Sequence, residues 1–184
     1  MRSVMLTVGS KIIGEGTSWA YPKGRDLGFF AIPIYEMKIA GTDSHNKYSM
    51  TTFPVYRFGV NCADGKTVHS VGLAEAQRHV IKTWKPDYKV HSYPSVEDGA
   101  WVVYRSFYIH DGPDDDTQIE ATIGCIEVWG PKGFTKFNDL LISLMDPPGK
   151  TRDERLLAIA RSGLLTIVYE KAAHPPVKPV PGPK

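Results

Sequence analysis

The first sixty residues constrain the fold most. "SVMLTVG", "GFFAIPIYEMKIAG" and "TTFPVYRFGV" are runs of branched, apolar and aromatic residues broken by Gly, Pro, Asn and Asp. Such runs suit the pleated, half-buried surface of a sheet. The polar stretch "GTDSHNKYSM" separates two of them as a loop. The sequence carries no internal repeat. A chain of 184 residues that opens this way is long enough for one domain with a real core. The expected fold class is α+β, mainly β.

Helical spacing enters later. In "GLAEAQRHVIKTW", residues 72–84, Leu73, Ala76, Val80, Ile81 and Trp84 recur near helical period and Pro86 stops the pattern, which predicts a helix. "AWVVYRSFYI", residues 100–109, reads as one strand that delivers His110 at its end. "TIGCIEVW", residues 122–129, is another short apolar run, ended by "GPKG". "FTKFNDLLISL", residues 134–144, places Phe137, Leu140, Leu141 and Leu144 on one helical face. Residues 150–163 carry a capping box, Thr151 with Glu154, and Gly163 as a stop. "LLTIVYE" reads as the last strand. The expected organisation is a single domain over 1–173 and a flexible Pro-rich tail over 174–184, since prolines cannot join a sheet interior.

Composition excludes several function classes. A net charge of +2 with scattered Lys and Arg gives no footprint for nucleic acid or an anionic membrane surface. No apolar run approaches the roughly 18–20 residues of a membrane span. The start, "MRSVMLTVGSKIIGEG", lacks the apolar core and cleavage site of a secretory signal, so synthesis in the cytoplasm is expected. His45, His69, His91 and His174 are scattered without ligand spacing, and no phosphate-cradling glycine motif is present. The run Asp114, Asp115 and Asp116 lacks the spacing of a calcium loop and reads as a solvated loop, with a mobile lid as the alternative. The four tryptophans, Trp19, Trp84, Trp101 and Trp129, read as core, with sugar stacking as the alternative.

Two cysteines, Cys62 and Cys125, make no disulfide framework, although they can pair once. Cys62 in "GVNCADG" precedes His69 and His79 but lies in no papain-type signature. Cys125 follows His110 by fifteen positions. A thiol attacks as its thiolate and needs a base or positive field, and histidine titrates near neutrality. Gly124 permits close approach of a substrate backbone, and the amides around Gly124 and Cys125 can face an oxyanion. An inert core cysteine fits "GCIEV" as well. On residue type and spacing both readings stand.

The stretch from His110 to Glu127 resembles the catalytic motif of the YkuD-type L,D-transpeptidases. That motif is a histidine, an intervening loop, then Ser/Thr-His-Gly-Cys, an apolar residue, and Asn or Arg. Here His110 begins it, and Thr122, Ile123, Gly124, Cys125, Ile126 and Glu127 fill its end in order. The resemblance covers roughly 100–170, where a helix and a closing strand follow the cysteine, and the helix over 150–163 is an insertion. Upstream, "TTFPVYRFGV" is loosely similar to the family's T-P-x-G-x-F/Y strand without its glycine. The implied fold is an L,D-transpeptidase-like β-sheet or β-sandwich core with two to three helices.

The resemblance implies a cysteine-dependent transferase or hydrolase of cell-wall peptidoglycan that needs no metal or organic cofactor. Cys125 attacks a stem-peptide carbonyl and releases the terminal D-amino acid. His110 moves the proton, the Asp111 backbone carbonyl orients the imidazole, and amides near Gly124 hold the oxyanion. Thr122, Ile123 and Glu127 are the expected substrate-binding positions. Two departures stand out: Ile123 replaces the family's histidine, and Glu127 replaces Asn or Arg. A carboxylate at 127 favours an amine over a carboxylate-ended stem. Relatives with a relaxed motif include phage proteins and interbacterial toxins. The expected setting is therefore an antibacterial effector acting in a target's periplasm, with an immunity protein or secretion-system component as partner. The competing expectation is a non-catalytic β-rich binding or structural domain of a phage or secretion apparatus, with Cys125 buried. A third keeps the dyad and makes the substrate an ordinary peptide or amide.

Overall fold

The computed structural model describes residues 1–90, 97–119 and 121–182. Its first two strands, β1 (Val4–Ala20) and β2 (Gly24–Thr42), form a long antiparallel hairpin. β3 (Tyr48–Tyr56) continues the meander, and β4 (Phe58–Asn61) pairs with β5 (His69–Gly72) as a separate two-stranded ribbon. Then follow β6 (Gln77–Val80), β7 (Thr83–Lys85), β8 (Ala100–Tyr104), β9 (Phe107–Asp111) and β10 (Ile126–Val128). α1 (Gly133–Met145) and α2 (Arg152–Ser162) lead to β11 (Leu165–Tyr169) and β12 (Lys178–Val180). Ten strands form one mixed sheet in the order β6-β11-β1-β2-β3-β10-β9-β8-β7, with β12 on β2. The β11–β1 and β10–β9 pairs are parallel. The architecture is mainly β with two helices.

Strand alternation sends side chains to opposite faces. Tyr35, Met37 and Ile39 of β2 enter the main core, and Phe30, Ile32 and Ile34 enter a second, smaller one with Tyr56, Val60 and Cys62. The main core is roofed by α1, whose Phe134, Phe137, Leu141, Leu144 and Met145 are buried. Phe137 meets Phe53 edge-on at 5.9 Å, and Trp101 Nε1 donates to Asn138 Oδ1 at 2.9 Å. Full burial of each such ring or aliphatic side chain contributes about 2 kcal/mol. α2 has the expected capping box, Thr151 with Glu154, and ends at left-handed Gly163.

A buried cation ties the layers together. Arg57 is fully buried, and its guanidinium donates to the carbonyls of Gly9, Leu73 and Glu170 at 2.9, 2.9 and 2.5 Å. It also lies over the rings of Phe58 and Tyr169.

Three expectations are corrected. Residues 72–84 form no helix: β6 pairs antiparallel with β11, and β7 pairs with β8. Val80, assigned to an apolar helical face, is 43% exposed. The open edge of β11 offered the backbone a ladder, and tertiary pairing overrode a helical spacing carried on few residues. The strand expected over 100–109 is a hairpin, because Arg105 adopts a left-handed conformation (φ 52°) and turns the chain between β8 and β9. His110 is the penultimate residue of β9, so it does sit at a strand end. The Pro-rich segment is not free over its described length. β12 pairs with Phe29–Ala31, and the His174 ring packs 5.0 Å from that of Phe58. Pro179 is tolerated there because β12 pairs on one side only. Residues 183–184 of that segment lie outside the described residues.

Candidate active site

The register of β9 and β10 builds the site. Ile109, Ile126 and Val128 point into the main core, so His110 and Glu127 point to the opposite face. His110 and Glu127 are direct register partners. Cys125, two residues before Glu127, shares their face. These three line a cavity of about 280 Å³. Its other walls come from Trp19, Tyr21 and Pro22 at the tip of the β1–β2 hairpin, and from Tyr88, Val90, Ala121 and Ile123. The Tyr88 ring lies 5.4 Å from the imidazole of His110.

Cys125 sits at the end of a tightly held loop. Thr122 is fully buried, its carbonyl accepts from the Val60 amide at 3.1 Å, and its amide donates to Ser18 Oγ at 3.3 Å. A Cβ on Gly59 would fall 1.8 Å from the Thr122 oxygen, so β4 runs flush beneath the loop. Gly124 has φ +92°, and a Cβ there would lie 2.7 Å from the Gly72 Cα. Only glycine satisfies both demands. The β4–β5 ribbon thus fixes the backbone that carries the thiol.

The imidazole is oriented and charged by its surroundings. His110 Nδ1 lies 2.7 Å from the Asp111 carbonyl, which accepts its proton and leaves Nε2 as the second ring atom for chemistry. Burial by itself lowers the His110 pKa. The hydrogen bond and the negative charge of Cys125, then the charge of Glu127 and the Asp111 carbonyl, outweigh burial and raise it to about 9. The Tyr108 amide donates to Cys125 Sγ at 3.4 Å, and the Ser106 carbonyl lies 3.8 Å from the same sulfur.

The structure brings His110, Cys125, Asp111, Ile123 and Glu127 together, with Asp111 acting through its carbonyl. Ile123 is 36% exposed at the cavity wall, whereas Glu127 is 2% exposed. Its Oε2 is buried with no hydrogen-bond partner among the described residues. One expected role is corrected. Thr122 does not line the cavity: it is an anchor under the loop, 0% exposed. The approach of Gly72 by itself already requires glycine at 124.

The remaining candidates fall elsewhere. Cys62 is fully buried in the second core, with Sγ 3.8 Å from Asp64 Oδ1. It and Cys125 are both free thiols. His79 lies on β6, stacked on Tyr104 at 4.8 Å. His91 lies outside the described residues. In the acidic loop Asp115 accepts from Thr117, and Asp114 N donates to Gln118 at 2.7 Å. Among the described residues no group of three or more His, Cys, Asp or Glu is placed to hold a metal ion. No helix among them is long and apolar enough to cross a membrane.

Sequence reasoning missed Tyr108, whose amide reaches the sulfur, and the Tyr21 and Tyr88 walls, while Trp19, read as core with sugar stacking as the alternative, lines the cavity. These come from segments far apart in sequence, and a backbone donor leaves no residue-type signal. Comparison of the chain with known protein families, with curated proteins and with solved structures finds no match.

Proposed function

We propose that this protein is a cysteine acyltransferase or peptidase of the L,D-transpeptidase kind, acting on peptidoglycan stem peptides. The observation that carries the reading is the dyad itself. Cys125 and a protonated His110 share one cavity, with the imidazole fixed by the Asp111 carbonyl.

The steps follow from that geometry. The Cys125 thiolate attacks the carbonyl of the scissile amide, and the developing oxyanion is met by the amides of Gly124 and Cys125. His110 gives its proton to the leaving amine, which departs as the terminal D-amino acid and leaves a thioester on Cys125. An incoming amine or water then attacks the thioester. Neutral His110 takes a proton from that nucleophile, so the departing thiolate is again paired with imidazolium. Amine attack gives a new peptide link, and water gives a shortened stem.

The apolar walls suit a substrate with little charge near the scissile bond, apart from what Glu127 selects. Against this stands a non-catalytic β-rich binding domain, favoured by the 4% exposure of Cys125. A purely structural cysteine gives no reason for an imidazole held charged beside it in a cavity. Mass spectrometry of purified muropeptides after incubation with the protein tests the proposal. Loss of the terminal D-amino acid or a new cross-link supports it. Unchanged muropeptides, with Cys125 intact and reduced, overturn it.

A further inference from the structure

The acyl-transfer reading leaves one cavity group without a task. Glu127 takes no part in forming the thioester, yet its side chain stands beside the dyad and is almost entirely buried, with 2% exposure. Its Oε2 has no hydrogen-bond partner among the described residues. Burying a carboxylate oxygen without a donor carries a desolvation cost that chains rarely retain without reason. Among the described residues, the cavity walls supply no Lys or Arg. His110, the register partner of Glu127, already donates one ring proton to the Asp111 carbonyl and faces Cys125 with the rest of the ring. A group from outside that brings N–H donors and positive charge completes the arrangement.

We propose that Glu127 receives the primary ammonium of the acyl acceptor and takes its proton as that amine attacks the Cys125 thioester. This rests on the acyl-transfer reading above and sharpens it, because it makes the protein a transferase to cationic amines before it is a hydrolase. The step balances. The ammonium loses one proton to the Glu127 carboxylate, and its nitrogen lone pair forms a bond to the thioester carbon. The C–S bond breaks with its electron pair on sulfur, and the thiolate is stabilised by the His110 imidazolium and the Tyr108 amide. The second proton lost by the new amide nitrogen goes to the His110 imidazole, neutral since it protonated the first leaving amine, and Glu127 then passes its own proton to solvent. Placement supports the assignment: Cys125, the residue before β10, and Glu127 within it line the same cavity two residues apart, so an amine held by the carboxylate lies beside the acylated sulfur. The same carboxylate repels an acceptor whose reacting end is anionic.

Thiol reagents of different charge read this without turnover. Cys125 is treated with methyl, aminoethyl and sulfonatoethyl methanethiosulfonate, which are neutral, cationic and anionic, in the wild type, Glu127→Gln and Glu127→Met. Cys62, fully buried in the second core, stays unmodified wherever the fold is intact and serves as the internal monitor. The proposal expects the cationic-to-anionic rate ratio at Cys125 to fall about tenfold or more in both variants, the effect of removing one facing charge at short range. If the neutral reagent modifies Cys125 and the ratio is the same in all three proteins, Glu127 does not select ammonium, while the nucleophile stands. If the neutral reagent leaves Cys125 unmodified in the wild type, the acyl-transfer reading fails and this proposal falls with it.

Discussion

His110 and Glu127 are register partners on adjacent parallel strands, and the carboxylate charge is among the influences that keep the imidazole protonated. With Cys125 on the residue that leads into β10, three chemistry-bearing side chains reach one cavity from two strands and the loop end that feeds one of them. Rigid neighbouring strands hold such a constellation better than loops do.

Removing either member of the dyad should abolish turnover while the fold survives. Cys125→Ala deletes one buried sulfur atom and should cost about 1 kcal/mol or less of stability. His110→Ala should cost more, about 1–3 kcal/mol, because the Asp111 carbonyl loses its donor in a buried site. Muropeptide turnover and denaturant unfolding check both.

The charge state of His110 should depend on Cys125. Nuclear magnetic resonance should follow its ring titrating near pH 9 in the wild type. In Cys125→Ala the largest raising influences vanish and burial remains, so the titration should move to markedly lower pH.

Stability should track the same group. The folded-state pKa, about 9, lies above the unfolded value of about 6.5, so the folded chain binds the extra proton between them. The contribution is fully present below about pH 6.5 and is lost as pH rises through about 9. Urea unfolding across that range should show a decline that is absent in His110→Ala.

The ribbon beneath the nucleophile loop should be intolerant of a single methyl. In Gly59→Ala the new Cβ meets the Thr122 carbonyl, and in Gly124→Ala it meets the Gly72 backbone at a positive φ. Neither obstacle is a flexible side-chain end. Each should cost about 2–4 kcal/mol or displace Cys125. Unfolding midpoints and Cys125 reactivity measured together separate the two outcomes.

Arg57 should resist even a conservative change. One planar guanidinium serves the carbonyls of Gly9, Leu73 and Glu170, which a lysine ammonium cannot reach from the same geometry. Arg57→Lys should destabilise by about 2–4 kcal/mol, since buried carbonyls are left without donors. Thermal unfolding measures it.

What the sequence made legible is local chemistry. The capping box of Thr151 and Glu154, the apolar face of α1 and the β-rich start all lie in short stretches whose residues decide their own conformation. The proximity of His110 and Cys125 was legible from the motif order and from the two apolar runs that flank the loop between them. What stayed hidden depends on distant partners. Residues 72–84 became strands because β11 and β8 supplied edges, and no window of that segment contains this information. The need for Gly124 comes from Gly72, and the donor on the sulfur is the Tyr108 backbone. Pairing of the Pro-rich segment with β2 was likewise invisible in its composition.

The central claim is that Cys125 is an activated nucleophile and not a core cysteine. Alkylation of the native protein with iodoacetamide at neutral pH, followed by peptide mass spectrometry, tests it most directly, with Cys62 as the buried reference. The account predicts modification of Cys125 alone, slowed roughly tenfold or more in His110→Ala, where the cation beside the sulfur is gone. Equal protection of Cys62 and Cys125 until the protein unfolds would contradict it.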